Sequence, residues 1–358
     1  MNLDDFESLA RERLDAGAYD YIAGGSWDEL TLRANRERFA RWQLRPRVLN
    51  DTSRVDVSTT VLGTPVAMPV GLAPLAFPGL AHADGEVAVA RAAAPAGVLQ
   101  CVPTLATRSL EEVAGVGPGP RWFQLYVHTD RARSAELVRR AEVAGYRAIV
   151  LTVDLPVPGY RERELRRRYR VPAGTRLGHY EDVDPGVTEL IPVIAGLQDP
   201  TLSWRDVAWV RGLSKLPLVL KGILTAEDAA LAVAEGVQGI VVSNHGGRQL
   251  DASPATIDVL EEVVQAVGRR AEVYLDGGVR RGTHVLIARA LGARAVFVGR
   301  PWMYALAAGG EAGVARLIAL MRGEVETAMR LLGVVGLDAV TPAHVYPMRG
   351  TLSPSPRG

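Results

Sequence analysis

Short apolar runs separated by amphipathic stretches set the pattern of this chain from residue 66 onward. The runs fall at 66–76, 98–102, 122–127, 148–153, 217–221, 239–243, 273–275 and 295–298. They are bounded by Gly, Pro or polar residues, as buried strands are. Between most of them the spacing changes to that of a helix. The clearest case is 132–144, where Leu137, Val138, Ala141 and Ala144 share one face. Similar patterns cover 84–94, 226–235, 255–267 and 282–291. Gly97, Gly145, Gly236 and Gly292 each stop a helix just before the next strand. Eight strands alternating with helices predict a parallel sheet, and eight is the number that closes a (β/α)8 TIM barrel. An open, doubly wound sheet is the alternative.

Three regions depart from this rhythm. Residues 1–64 read as short N-terminal helices and a hairpin ahead of the barrel. The first helix carries Phe6, Leu9 and Leu14 and stops at Asp15–Gly17, residues 19–25 read as a turn-rich segment with two tyrosines, and the hairpin falls at 54–64. After the fourth strand, 155–203 is a long, lid-like loop, far beyond an ordinary βα connection. It holds an arginine-rich run at 161–170, most of which is expected on a solvated face, and then a Gly/Pro/Asp-rich stretch. Residues 302–333 read as a longer helical region that closes the barrel. Residues 335–358 read as a C-terminal tail, disordered at its Ser-Pro-Ser-Pro end. No linker interrupts the pattern, so 1–358 is expected to form one domain.

Composition narrows the class. The 358 residues are 48% hydrophobic and carry a net charge of +1, with no basic excess to suggest nucleic acid or a membrane surface. The N-terminus lacks the basic and apolar regions of a secretory signal. The long uncharged stretch 57–83 is broken by Pro and Gly, so it does not read as a membrane span. The single cysteine, Cys101, precludes an intrachain disulfide and fits a reducing, cytoplasmic setting. It reads as core filler. Lysine is rare: Lys215 and Lys221 stand among 41 basic residues.

In a barrel of this kind chemistry sits at the C-terminal strand ends, and polar residues gather there. They are Gln124 and Tyr126, Thr152 and Asp154, Lys221, Ser243 and His245, Asp276, and Arg300. The segments Asp276-Gly277-Gly278-Val279-Arg280 and Gly299-Arg300 combine flexible backbone with guanidinium groups, which predicts a phosphate cradle. Lys221 suits a Schiff base, a phosphate contact or a charge beside an electron-rich cofactor. His245, with Arg248 three residues on, reads as a base beside an anion holder. His82, His128, His179, His284 and His344 are scattered and suggest no metal site.

The blocks SNHGGRQLD (243–251), LDGGVRRG (275–282), VGRP (298–301), FQLY (123–126), LTVD (151–154) and LPLVLKG (216–222) resemble the FMN-dependent α-hydroxy acid oxidases and dehydrogenases, of the glycolate oxidase and lactate oxidase type. The resemblance runs from Tyr19 to about residue 335. It implies FMN as cofactor and oxidation of a small L-2-hydroxy acid. His245 would take a proton from the substrate, with Asp154 stabilising the imidazolium. Arg248 and Tyr21 would hold the substrate carboxylate, Tyr126 would hydrogen-bond near its hydroxyl, and Arg161 would be a second arginine near the substrate. Lys221 would face the flavin N1/C2 edge. Gln124, Thr152 and Ser243 would bind the isoalloxazine, and Pro74, Leu75 and Ala76 would pack on its ring. Asp276, Gly277, Gly278, Arg280, Gly299 and Arg300 would hold the ribityl chain and phosphate.

The chain departs from the family after the second strand. Pro103-Thr104 replaces a serine pair, so Thr104 or backbone would contact the flavin. Leu105 stands where an aromatic residue is common, which favours lactate or a larger acid over glycolate. The resemblance further implies O2 as electron acceptor, giving H2O2. A dehydrogenase passing electrons to a quinone or cytochrome is the alternative. Assembly as a homotetramer or homo-octamer is implied by analogy alone.

Overall fold

The computed structural model describes residues 2–172, 174–180 and 190–348. The expected disordered end of the tail and part of the Gly/Pro/Asp-rich stretch lie outside these residues.

The chain opens with α1 (Asp5–Arg13), α2 (Ala16–Ala23) and α3 (Leu30–Glu37), followed by a short strand β1 (Trp42–Leu44). Here the sequence reading needs correcting. Asp15 does not end a helix but begins one, because its side chain accepts from the free N–H groups of Gly17 and Ala18. The segment with the two tyrosines is therefore helical. The hairpin lies at β2 (Thr59–Val61) and β3 (Thr64–Val66), displaced from the expected 54–64. Leu62 and Gly63 supply the positive φ its turn needs.

The barrel strands are β4 (Val70–Leu72), β5 (Gln100–Val102), β6 (Arg121–Leu125), β7 (Ile149–Thr152), β8 (Leu218–Ile223), β9 (Gly239–Val242), β10 (Glu272–Leu275) and β11 (Ala295–Val298). They are parallel and close in chain order, with β11 pairing β4. Each predicted apolar run supplies one strand. The outer helices are α4 (Gly85–Ala93), α5 (Leu110–Ala114), α6 (Arg131–Val143), α9 (Trp204–Gly212), α10 (Ala226–Ala234), α11 (Thr256–Val267), α12 (Gly282–Ala290) and α13 (Arg300–Leu332). Within the excursion after β7 lie α7 (Glu162–Arg167) and α8 (Leu190–Leu197), so this segment carries helical structure where a loop is expected.

Two apolar layers result. One fills the space between strands and helices. The other lies inside the barrel, built from Trp122, Val150, Val219, Val241, Tyr274 and Phe297 with Cys101. Val61 and Val66 of the hairpin join this inner cluster, and Leu62 N–H donates to Glu272 at the start of β10. The hairpin thus plugs the N-terminal end of the barrel. Residues 335–347 are not a free tail: β12 (Val345–Pro347) pairs antiparallel with β1. Among the described residues one helix, α13, is long and apolar enough to cross a membrane. Most of that stretch is buried, α13 packs on α1, α4 and α12, and its backbone leaves helical geometry at Gly309 and Gly310. It reads as a core helix.

Candidate active site

Successive side chains of a strand point to opposite faces. Trp122, Val150, Val219, Val241, Tyr274 and Phe297 face the barrel interior. Residues two further along keep that direction: Gln124, Thr152, Lys221, Ser243, Asp276 and Gly299. The apolar alternation that builds the core therefore also brings this polar set to the C-terminal mouth.

A chamber opens there. Its wall includes Pro74, Leu75, Ala76, Leu105, Gln124, Tyr126, Thr152, Lys221 and His245. Tyr21, Arg161 and Arg248 line it as well, as do Asp276, Gly277, Gly278, Arg280, Gly299 and Arg300. The sequence-predicted site is thus largely assembled in one cavity.

His245 sits at its centre. Nδ1 lies 2.9 Å from Asp154 Oδ1, and Nε2 lies 3.4 Å from the Tyr126 hydroxyl. A carboxylate can only accept, so Nδ1 carries the proton and Nε2 of the neutral ring is a free base. Burial lowers the His245 pKa, and Asp154 only partly opposes this. Burial pushes the Asp154 carboxyl up, but His245 and Lys221 outweigh it and hold the group below its ordinary value. The loop that presents the ring is unusual: His245, Gly246 and Gly247 have φ of 57, 66 and 75°. A β-carbon at Gly247 would meet the Leu32 backbone at 2.5 Å, so glycine here lets the N-terminal segment seat against the loop.

Lys221 is buried with Nζ 3.5 Å from Asp276 and 3.1 Å from Ser243 Oγ. Burial disfavours its charge, but Asp276 and Asp154 outweigh that and raise its pKa, so it remains a cation. Gly222 follows with φ of 113°, and a β-carbon there would lie 2.6 Å from Asp154 Cβ. This close approach seats Asp154 beside both His245 and Lys221.

Arg248 donates to the carbonyls of Tyr21 and Gly24 at 2.6 and 3.0 Å. Its guanidinium and that of Arg161 lie 5.0 and 5.8 Å from the Tyr21 ring centre. Burial, with Arg161 close by, pushes the Arg248 pKa down to about 10. Arg300 donates to Ile22, Gly24 and Gly246 carbonyls, tying the N-terminal segment to the chamber floor.

Two predicted cofactor contacts do not line the chamber. Thr104 is buried with its hydroxyl spent on the strand ends: it donates to Gln124 O at 2.6 Å and accepts from Tyr126 N–H at 2.9 Å. Ser243 turns its hydroxyl to Lys221 and to its own loop, accepting His245 N–H at 3.1 Å. Both hold neighbours in place instead of facing the cavity. The arginine run divides too. Arg166, Arg167, Arg168 and Arg170 are exposed, whereas Arg161 turns inward.

Sequence reasoning missed Ala195 and Gln198, which line the chamber from the C-terminal end of α8 and the residue after it, and Phe77 and Met303. The apolar string LIPVIAGL is the signal for the former. It also missed Gln249, which ties the excursion to the histidine loop by donating to the carbonyls of Asp154 and Val157 and accepting Gly159 N–H.

The donor set fits FMN. Arg280, Arg300 and the positive-φ pair Gly277 and Gly278 suit a phosphate dianion and its ribityl chain. Buried Asp276 Oδ1 has no hydrogen-bond partner among the described residues. Gln124 and Thr152, bonded at 3.0 Å, offer amide and hydroxyl groups to a heteroaromatic edge near the Lys221 cation. Fold and site together define a flavin-binding (β/α)8 barrel.

Comparison with known proteins gives the family. The chain belongs to the FMN-dependent dehydrogenases, whose family model matches residues 10–347. It is 50% identical to glycolate oxidase 1 of Oryza sativa subsp. indica over 351 residues, covering 96% of this chain and 95% of that protein. It is 47% identical to the L-lactate oxidase of Nostoc sp. (strain PCC 7120), covering 97% and 98%. The crystal structure of a mandelate oxidase with (S)-4-hydroxymandelic acid superimposes with a TM-score of 0.91 at 45% identity, covering 96% and 98% of the two chains.

Proposed function

We propose that this protein oxidises a small L-2-hydroxy acid, lactate-like or somewhat larger, to the 2-oxo acid, with O2 reduced to H2O2. The observation that carries the reading is the free Nε2 of His245, fixed by Asp154 and facing the chamber beside Tyr126 and the Arg161–Arg248 pair. FMN, when bound, would supply a two-electron acceptor for the substrate that O2 can reoxidise. The remaining work falls to the chain. Arg248, Arg161 and Tyr21 bind the substrate carboxylate and fix its orientation, because forked guanidinium donors match a carboxylate. His245 Nε2 then accepts one proton of the substrate, and Asp154 stabilises the resulting imidazolium. Tyr126 donates toward the substrate oxygen. Lys221 holds positive charge where electron density arrives.

Leu105 and Ala76 set the size limit. Neither is bulky, so the chamber admits a side chain larger than the hydrogen of glycolate. We also infer a cytoplasmic location, supported by the single buried cysteine, and assembly as a homotetramer or homo-octamer, supported by the family resemblance.

The test is anaerobic bleaching of the flavin by glycolate, L-lactate, longer 2-hydroxy acids and mandelate in both enantiomers. Rapid mixing of the reduced protein with air-saturated buffer follows. Bleaching by L-lactate and fast recovery of the yellow colour are expected. Slow recovery would reject O2 as acceptor in favour of a quinone or cytochrome.

A further inference from the structure

The chamber mouth holds a carboxylate that the functional reading does not use. Glu164, in the first turn of α7, has Oε1 3.2 Å from Arg161 NH1 and 3.6 Å from Arg248 NH2. Its side chain is 11% exposed, and among the described residues buried Oε1 finds no well-formed hydrogen bond. It does not line the chamber, so it stands behind the two guanidiniums and acts on the cavity through its charge.

The other charges of α7 turn away. Arg163 pairs with Glu29, Arg167 with Asp20, and Arg166 with Glu162. The remaining charged groups of the chamber are committed elsewhere. Lys221 lies against Asp276, and Asp154 against His245. Arg300 holds backbone carbonyls, and Arg280 faces Asp4 at the phosphate end. The carboxylate seat therefore consists of two guanidiniums and one carboxylate, leaving one net positive charge. One substrate carboxylate neutralises it. Arg280 and Arg300 stand at the phosphate end, so a second carboxylate would find no further cation in this seat and would meet Glu164, and buried like charges are strongly disfavoured.

We propose that Glu164 is a specificity-determining residue that sets the charge of the substrate seat and restricts the enzyme to 2-hydroxy monocarboxylates, excluding dicarboxylates of the malate type. The proposal rests on the reading that Arg161 and Arg248 hold the substrate carboxylate.

The test uses propionate and malonate, unreactive three-carbon acids that differ by one carboxylate, titrated calorimetrically into the FMN-loaded enzyme. The wild type binds propionate at least as tightly as malonate. In Glu164→Gln the affinity ratio of malonate to propionate rises roughly tenfold, since a dianion feels a lost charge more than a monoanion does. Glu164→Asp retains the wild-type ratio. A ratio within twofold of wild type in Glu164→Gln overturns the proposal, as does a wild type that already prefers malonate. The wild-type titration alone decides the matter if the glutamine variant does not fold. Arg248→Met separates the two readings. Unchanged binding of both acids in that variant would remove the carboxylate seat and with it the functional reading. Lost binding there, with an unmoved ratio in Glu164→Gln, rejects the charge selection alone.

Discussion

Replacing Asp154 by Asn tests the proposed base most directly. The amide has nearly the shape of the carboxylate and can still accept from His245 Nδ1 at 2.9 Å, so the ring should stay in place. The charge is lost. A hydrogen bond to a charged group contributes about 1.5–3 kcal/mol against about 1 kcal/mol for a neutral one. Opposite charges at ~4 Å attract by about 4 kcal/mol at an effective dielectric near 20. The imidazolium formed during reaction should therefore lose about 2–4 kcal/mol, or roughly 30- to 1000-fold in rate. The assay is anaerobic stopped-flow measurement of the limiting rate of flavin reduction and of the substrate concentration for half-saturation. The pH profile adds a second readout. The base must be neutral, so the rate is level above the His245 pKa and falls below it. Asp154 raises that pKa, so its loss moves the acid limb to lower pH. A fall of less than threefold in the limiting rate would refute the pairing. So would an acid limb that moves up, or a change confined to half-saturation.

Four further predictions follow from the same structure. Thr104→Val should keep FMN bound but lower stability by about 1–3 kcal/mol, because Gln124 O and Tyr126 N–H lose their partner; denaturant unfolding with flavin quantitation checks this, and selective loss of FMN would restore Thr104 as a cofactor contact. Gly222→Ala should reduce the flavin-reduction rate as Asp154→Asn does and also lower Tm, because the new methyl meets Asp154 and φ is 113°; wild-type kinetics would count against it. Lys221→Met leaves Asp276 and Asp154 short of their cation and should cost about 3–5 kcal/mol in stability along with flavin reduction; an unchanged melting curve and rate would remove the charge role.

The fourth prediction concerns His179. It is buried, has Nδ1 2.9 Å from Thr104 O, and has its pKa lowered to about 4 by burial. A depressed histidine pKa means that the unfolded chain binds the proton first. Stability is therefore full above about pH 6.5 and falls between there and about pH 4, by roughly 3 kcal/mol from this group. His179→Asn should flatten that part of the pH–stability curve; an equally steep curve in the variant would show that the slope comes from elsewhere.

The strands and the inner polar set were legible because one alternation encodes both. The parity that buries Val150, Val219 and Val241 also carries Thr152, Lys221 and Ser243 to the barrel mouth. Parity does not tell whether a hydroxyl faces a cavity or a neighbour. Thr104 and Ser243 read as cofactor contacts, and only the structure shows which neighbouring groups their hydroxyls bond. The start of α2 was misread for a local reason, since Asp15-Ala-Gly serves equally well to end one helix or cap the next. The seat of Glu164 was not legible at all. In sequence it is one acid in an arginine-rich run, and its distance to Arg248 spans 84 positions that a lid excursion and two barrel strands must bring together.

The sequence by itself therefore pointed to the barrel and set His245, Arg248 and the Gly-Arg segments at its strand ends, because hydrophobic period and residue chemistry are local properties. Only the tertiary structure decided which oxygen faces His245, which arginines share the Tyr21 ring, and which carboxylate stands behind them. Those contacts join residues from separate strand ends and loops, and they form only when closure of the barrel brings its C-terminal rim into one ring.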